Sequence, residues 1–451
     1  MVIATTLASA VALASIPSVA GDFMNIPIQV SNVQEANDCI AQSGLLTPSA
    51  ARAVLLEDVR PVDGEEVLTL SRLVGRITTT SSHSAVTLPR FDNAAVDGYG
   101  IHANDLASSL GTALRVVGPV LAGHRTTAEA IPGSAVRILT GASIPAGVAA
   151  VVLEEHVYRT GDSVVMQFAP TLGANIRRRG EDVSKGTEVI QKGTRLDARH
   201  IAMLAATGAS SASVRRQLRI GVLSTGDELA DVGVEPVEAG IVDTNRPMLL
   251  ALLASPAVEL VDLGIVADNE HIISTAIAKA AARFDLLITS GGVAGSDADH
   301  LAYAIGAAGG HCRPLKLALR PGKPIAAGEL GAMRILCLPG NPVAAMVNLL
   351  LFGRPLIQRM LGLTESVGPS VPARAAGAFH HRLGRTEFMP VKVSGLAPDG
   401  LPLVERLGRG GSARLLPLVS ADGLAEIGPD MGDVPSSGVL SFHSFSTSFA
   451  L

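Results

Sequence analysis

The stretch from Leu218 to about Leu361 constrains this chain most. Four apolar runs there read as strands, at Leu218 to Leu223, Val258 to Leu263, Asp285 to Ile288 and Arg334 to Leu338. Helical patterns alternate with them, at Pro247 to Leu253, Glu270 to Arg283, Asp299 to Ala308 and Val343 to Met360. Strands and helices alternating at this spacing predict a mostly parallel sheet wrapped by helices.

Glycine-containing turns directly follow three of these strands: Ser224-Thr225-Gly226-Asp227-Glu228, Ser290-Gly291-Gly292-Val293 and Leu338-Pro339-Gly340-Asn341-Pro342. In a parallel sheet such turns share the carboxyl edge, where open α/β sheets bind ligands. Glycine lets backbone N–H groups approach a phosphate without a Cβ in the way, and a helix N-terminus behind it adds partial positive charge. Asn341 before Pro342 marks a helix start, with a cap residue and then proline at the first helical position. Any one of these turns is equally a tight strand-to-helix corner. Three converging together, with charges nearby, predict a phosphate-bearing ligand.

The charges are of two kinds. Arg320-Pro321-Gly322-Lys323-Pro324 holds two cations in a stiff segment that cannot be helix. It suits an oxyanion, and on spacing alone it is equally a solvated basic turn. Asp227, Glu228, Asp243, Asp268, Asp297 and Asp299 surround the turns. Carboxylates beside phosphate oxygens suit Mg2+. Asp243, before Thr244 and Asn245, reads as a helix cap.

Either side of this region the rhythm changes. Val33 to Glu66 is mainly helical, with a second helical segment around Ser49 to Leu56, and Val67 to Ile77 reads as a polar-edged connection. From about Tyr99 to Phe168 short apolar runs at Leu114 to Val120, Ala135 to Leu139, Ala149 to Leu153 and Val164 to Phe168 predict a β-rich block. Helical pattern returns at Ala198 to Ala206. After Pro369 comes a β-rich tail with strand candidates at Arg385 to Val393, Leu401 to Glu405 and Gly438 to Phe442. The expected organisation is a leader over 1–32, a helical region over 33–215 with a β insertion at about 99–170, an α/β domain over 216–362 and a C-terminal β domain over 369–449.

Composition narrows the function classes. Of the 451 residues, 47% are hydrophobic and 17% charged, too apolar for intrinsic disorder. A net charge of −5 argues against binding a nucleic-acid backbone, and no Trp with 3 Tyr leaves few platforms for stacking bases. Cys39, Cys312 and Cys337 are too few and too scattered for a disulfide framework or a thiolate zinc cage, which fits a reducing, cytoplasmic setting. Met1 to Gly21 carries no charge, and Ser18-Val19-Ala20 resembles a cleavage site. The segment lacks the positive start of an export signal, and its Ser, Thr and Pro residues weaken it as a membrane span. It reads as a dispensable or mis-started leader, with Met24 as an alternative start and export as the other reading.

These motifs, taken in order, resemble one family, the molybdopterin molybdenumtransferases (bacterial MoeA and the E domain of gephyrin). Phe91 to Tyr99 is similar to the family's FDxSAMDGYA, Arg137 to Ala142 to its RIMTGA and Asn175 to Val183 to its NIRxxGEDI. Thr225 to Leu229, Asp243 to Arg246, Ser290 to Val293, Pro321 to Pro324 and Leu338 to Val343 are similar to TGDEL, DTNR, SGGV, PGKP and LPGNPV. The resemblance runs from about Val33 to Phe445. It implies a helical region carrying a β domain, a MogA-like three-layer α/β domain and a β-barrel-like domain, assembled as a homodimer with the site between subunits.

The reaction it implies is insertion of molybdate into adenylylated molybdopterin, with Mg2+-dependent release of AMP. A non-catalytic molybdopterin carrier is the alternative. Residues matching catalytic positions are Asp97, Thr140, Asp182, Glu228, Asp268 and Asp299, with Glu228, Asp268 and Asp299 as metal ligands. Ligand-binding positions are Thr225, Gly226, Asp227, Ser290, Gly291, Gly292, Arg320, Lys323, Pro339, Gly340, Asn341 and Pro342. Implied partners are cofactor-synthesis proteins or molybdenum enzymes, with no nucleic acid and no membrane. Departures are Ala294-Gly295-Ser296 for Ser-Val-Gly, Arg320 for Lys, Ala149 for an acid and Val96 for Met.

Overall fold

The computed structural model describes residues 44–292, 300–364, 370–408 and 413–446. The leader expected over 1–32 and the helical pattern beginning at Val33 lie outside the described residues.

The helix Pro48–Leu56 starts where the sequence dictates, with Thr47 capping the N–H of Ala50 and Pro48 in the first turn. Its apolar face, Ala51 with Val54 and Leu55, joins the same core as Leu356 and Ile357 of the helix Arg354–Leu361. The chain then enters an antiparallel stem in which Glu65–Thr69 pairs with Ser211–Arg215. This corrects the connection expected over Val67 to Ile77. The Glu65–Thr69 strand takes its partner from the far end of the N-terminal region, and no local pattern announces such a pairing.

Beyond the stem lies a six-stranded sheet in the order Val148–Leu153, Gly98–His102, Ser134–Ile138, Ala113–Val120, Ser163–Met166, Val157–Thr160. Gly98–His102, Ser134–Ile138 and Val148–Leu153 bury side chains on both faces, whereas Ala113–Val120 and the edge strand Val157–Thr160 are partly exposed. Tyr99, Ile101, Leu114 and Val164 fill one core, and Val120, Val136, Ile138 and Val151 another. The chain returns through the helix Ala198–Ala206, held by a capping box in which Asp197 and His200 satisfy each other's backbone N–H groups.

The central sheet runs Val258–Val266, Leu218–Thr225, Leu286–Ser290, Met333–Leu338, Pro324–Leu330, His311–Lys316. The first four strands are parallel, as the alternation predicts. Ile220, Val222, Leu286 and Leu336 pack on one face with Leu249, Leu253 and Val343 of the helices Asn245–Leu253 and Pro342–Asn348. Leu223, Leu287 and Ile335 pack on the other with Ile273, Ile277 and Leu301. Each fully buried Leu or Ile contributes roughly 1.5–3 kcal/mol, so this double-faced core dominates the domain's stability.

Two features differ from expectation. The last two strands are antiparallel additions. Pro314 hid the outermost of them, since proline argues against a central strand and is tolerated only at an edge such as this one. The helix expected from Val343 to Met360 is broken by a π-helical turn at Leu349–Gly353 before Arg354–Leu361. Pro355 has no N–H to give Leu351, and its ring crowds that carbonyl.

The C-terminal strands close into a five-stranded barrel, Thr386–Leu396, Pro402–Arg406, Val371–Ala375, Val439–Ser444, Gly423–Ile427 and back to Thr386–Leu396. Phe379, Met389, Val391 and Phe442 are in its core. A two-residue strand of the central domain, Leu319–Arg320, pairs in parallel with Thr386 and Glu387, so the two domains share hydrogen bonds. Among the described residues no helix is long and apolar enough to cross a membrane.

Candidate functional site

Register brings the three glycine turns level. Ser224 lies beside Ser290, and Ser290 beside Leu338. The turns then touch in series. The N–H of Gly291 donates to the carbonyl of Leu338 at 3.2 Å. Gly291 adopts φ +94°, and a Cβ there would strike the carbonyl oxygen of Thr225. A Cβ on Gly340 would stand 3.7 Å from the Cα of Gly291. Thr225 is only 2% exposed, and its Oγ1 has no hydrogen-bond partner among the described residues.

Asn245 ties this seam together. Its Nδ2 donates to Ser290 Oγ at 2.7 Å and to the Gly340 carbonyl at 2.8 Å. In the sequence Asn245 has no role beyond membership of a motif. Its bonds reach residues 45 and 95 positions away, so nothing local could have shown them.

Asp227, Glu228 and Asp268 lie on neighbouring turns at one end of the seam. Glu228 folds back so that its Oε2 lies 2.5 Å from where a Gly226 Cβ would be. Asp227 Oδ1 accepts the N–H of Asp268 at 3.0 Å. Asp268 Oδ1 is buried and has no hydrogen-bond partner among the described residues. An orphaned carboxylate oxygen beside the neighbouring turn of Asp227 is the kind of donor Mg2+ takes, and supplies part of a donor set. Asp297 and Asp299 lie outside the described residues, and among those described no three acidic, His or Cys side chains gather at one point. Asp243 is the helix cap expected of it, since its Oδ1 accepts the N–H groups of Asn245 and Arg246, both at 3.1 Å.

Arg320 lies elsewhere, in a cleft between the central domain and the barrel with a volume of about 210 Å³. The cleft is lined by Arg320, Gly322, Val343, Glu387, Arg406 and Arg414 among others. Arg320 Nη1 stands 3.6 Å from Glu387 Oε1. Gly322 sits at φ +104°, where a Cβ would collide with the Asn348 amide, and Asn348 is fixed by its bond to the Ala344 carbonyl at 2.8 Å. The basic turn is thereby seated on the helix that follows Pro339, Gly340, Asn341 and Pro342. Lys323 is exposed and does not line the cleft, so the expected pair of cations becomes one cation joined by two from the barrel. No sequence motif marks Arg406 or Arg414.

The three N-terminal motifs form a third group. Asn93–Ala94 pairs with Ile176–Arg177, and the N–H of Ala94 bonds the carbonyl of Ala142 at 3.0 Å. Asp97 Oδ1 accepts from Thr140 Oγ1 at 2.6 Å and from the Thr140 N–H at 2.7 Å. The hydroxyl and the amide together hold the Asp97 carboxyl below the usual carboxylate range. Asp92 is lowered similarly, by the Arg179 N–H and then the Arg178 guanidinium. Asp182 is exposed, anchored through its own N–H to the Leu88 carbonyl at 3.1 Å. Arg177, Arg178 and Arg179 are exposed, with Arg178 paired to Asp92. Among the described residues no hydrogen bond or ion pair joins Asp97, Thr140 or Asp182 to the glycine seam.

Comparisons with known proteins agree with this architecture. Family models match three segments: the MoeA N-terminal region (domain I and II) at residues 46–208, a probable molybdopterin binding domain at 221–359, and the MoeA C-terminal region (domain IV) at 372–436. A molybdopterin molybdenumtransferase of Haemophilus influenzae is 39% identical over 347 residues, covering 76% of this chain and 85% of that protein. A molybdopterin molybdenumtransferase 2 of Mycobacterium tuberculosis is 31% identical over 391 residues, covering 85% and 94%. The crystal structure of a molybdopterin biosynthesis moeA protein from Pyrococcus horikoshii OT3 superposes with a TM-score of 0.75 at 28% identity, covering 89% of this chain and all of that one.

Proposed function

Because the chain belongs to the molybdopterin molybdenumtransferase family, we propose that it inserts molybdate into adenylylated molybdopterin and releases AMP. The observation that carries this reading is the glycine seam with the orphaned Asp268 oxygen at its end. The turns after Thr225, Ser290 and Leu338 would let the pyrophosphate approach the backbone with no Cβ between, at amides other than those of Gly226 and Gly291, which are bonded within the seam. Asp227 positions Asp268 through its backbone. Glu228, Asp268 and Asp299 would hold Mg2+, which when bound neutralises charge on the phosphate oxygens during cleavage. Arg320, Arg406 and Arg414 would hold molybdate as a dianion, with Glu387 orienting Arg320. No protein nucleophile is required: water would attack the pyrophosphate to release AMP, and the two dithiolene thiols would displace one molybdate oxo group, which leaves as water with their protons.

Asp97, held ionised by Thr140, serves as an acceptor rather than a proton donor at neutral pH. With Thr140 and Asp182 it would complete the seam of a second subunit, giving a homodimer with shared sites. The separation of the two groups within one chain supports that reading. The enzyme would work in the cytoplasm and pass its product to molybdenum enzymes or their assembly partners.

The test is direct. Purified protein given adenylylated molybdopterin, molybdate and Mg2+ should release AMP and form molybdenum cofactor. Glu228→Ala and Asp299→Ala should abolish AMP release while leaving a folded protein. Tight binding without AMP release by the unaltered protein would replace the enzyme with a carrier.

A further inference from the structure

One buried cation has no part in the reaction proposed above. Arg246 is 5% exposed, and its guanidinium meets three carboxylates from three segments. Nε donates to Asp243 at 3.1 Å, Nη1 to Asp262 and Nη2 to Asp231. Asp243 caps the helix Asn245–Leu253, Asp262 lies within the strand Val258–Val266, and Asp231 lies just past the Thr225 to Glu228 turn. Burial alone would lower the Arg246 pKa, but the bonds to Asp262 and Asp243 outweigh it and raise it. The group stays charged at every working pH.

A buried ion cluster is a poor stabiliser, because desolvation offsets most of the attraction and an apolar plug often serves as well. An apolar plug does not fix angles. A guanidinium offers rigidly spaced donors, and here they pin the turn that carries Asp227 and Glu228, the strand that leads to Asp268, and the helix start that carries Asn245. Asn245 in turn clamps Ser290 and Gly340. The whole seam thus hangs on one side chain that lines none of it.

We propose that Arg246 is a positioning residue, which sets the spacing of the glycine turns through Asn245 and so tunes ligand affinity. The proposal rests on the ligand assignment made above. It is tested with Arg246→Lys, Asn245→Ala and the double variant, measuring KM and kcat for adenylylated molybdopterin, its Kd by calorimetry in the presence of EDTA, and Tm.

Lysine keeps the charge but loses the fork. Each single variant should raise KM and Kd roughly tenfold, the expected cost of one lost charge-assisted or buried hydrogen bond in the seam. If Arg246 acts through Asn245, the double variant should be no worse than the weaker single one, with kcat near wild type. Affinity penalties that multiply independently would overturn the proposal, as would a fall in Tm with unchanged KM and Kd. Should Arg246→Lys fail to fold, Asp231→Asn removes one half-exposed tether, and an unaltered Kd there would overturn it equally. Absence of AMP release by the unaltered protein refutes the reaction instead, and the Kd series still decides the positioning role.

Discussion

Gly291→Ala is the sharpest test of the glycine seam. At φ +94° an alanine is strained whatever the space around it, and its Cβ would lie well inside 3.0 Å of the Thr225 carbonyl oxygen. Backbone strain of this kind costs about 1–3 kcal/mol. The collision costs more in function than in stability, because neither atom belongs to a flexible side chain. To reach ordinary contact one strand end must move by about 1 Å, and a displacement of that size at a reacting centre costs about 10²-fold. We expect kcat/KM for AMP release to fall by about that factor, while Tm drops by only a few degrees. Steady-state kinetics and a thermal melt measure both. A Gly291→Ala enzyme with kcat/KM within about twofold of wild type would refute the claim that these turns are set against one another for ligand binding.

Two further outcomes follow from other parts of the molecule. Mixing equal amounts of inactive Asp97→Ala and Glu228→Ala proteins after subunit exchange should restore about one quarter of wild-type activity, because half the dimers are mixed and each holds one intact site. No recovery in a verified mixed dimer would place Asp97 and Glu228 in the same subunit's site. Asp285 is buried, which raises its pKa, but hydrogen bonds from Arg216 and then Arg219 win and bring it to about 2. Its contribution is therefore present above the unfolded value near 4 and lost as pH falls from about 4 towards 2, amounting to roughly 2 kcal/mol. Asp285→Asn should flatten that acid limb in denaturant titrations and destabilise at neutral pH, and an unchanged limb would exclude the assignment.

What the sequence revealed and what it hid differ in range. The central parallel strands were legible because burial on both faces makes each a short apolar run, and the following helices repeat at a fixed interval. The helix start at Asn341 and Pro342 was legible because the cap and the proline act within one turn. Asp243 was legible as a cap for the same reason. The stem strand Glu65–Thr69, the antiparallel pair beyond Met333–Leu338 and the arginines of the cleft were not, because each is defined by a partner far along the chain. No sequence signal marks Asp231 or Asp262 either, since only the folded sheet brings them to Arg246. Motif order named the candidate residues, while their division into a seam, a cleft and an N-terminal group required the fold.

The antiparallel stem has a kinetic consequence. Glu65 pairs with Arg215 only after everything between them has been compacted, and closing so long a loop is entropically costly until the intervening chain folds. The inserted sheet, whose strands pair over much shorter spans, is then expected to form first as its own cooperative unit, with the stem closing behind it. Pulse-labelled hydrogen exchange should show amides of Ala113–Val120 protected before those of Glu65–Thr69. On a ribosome the same order means that the first strand of the stem waits unpaired through synthesis of the whole insertion. An exposed β edge in waiting is a liability, and charged Glu65 and Glu66 at its head guard against pairing with the wrong chain.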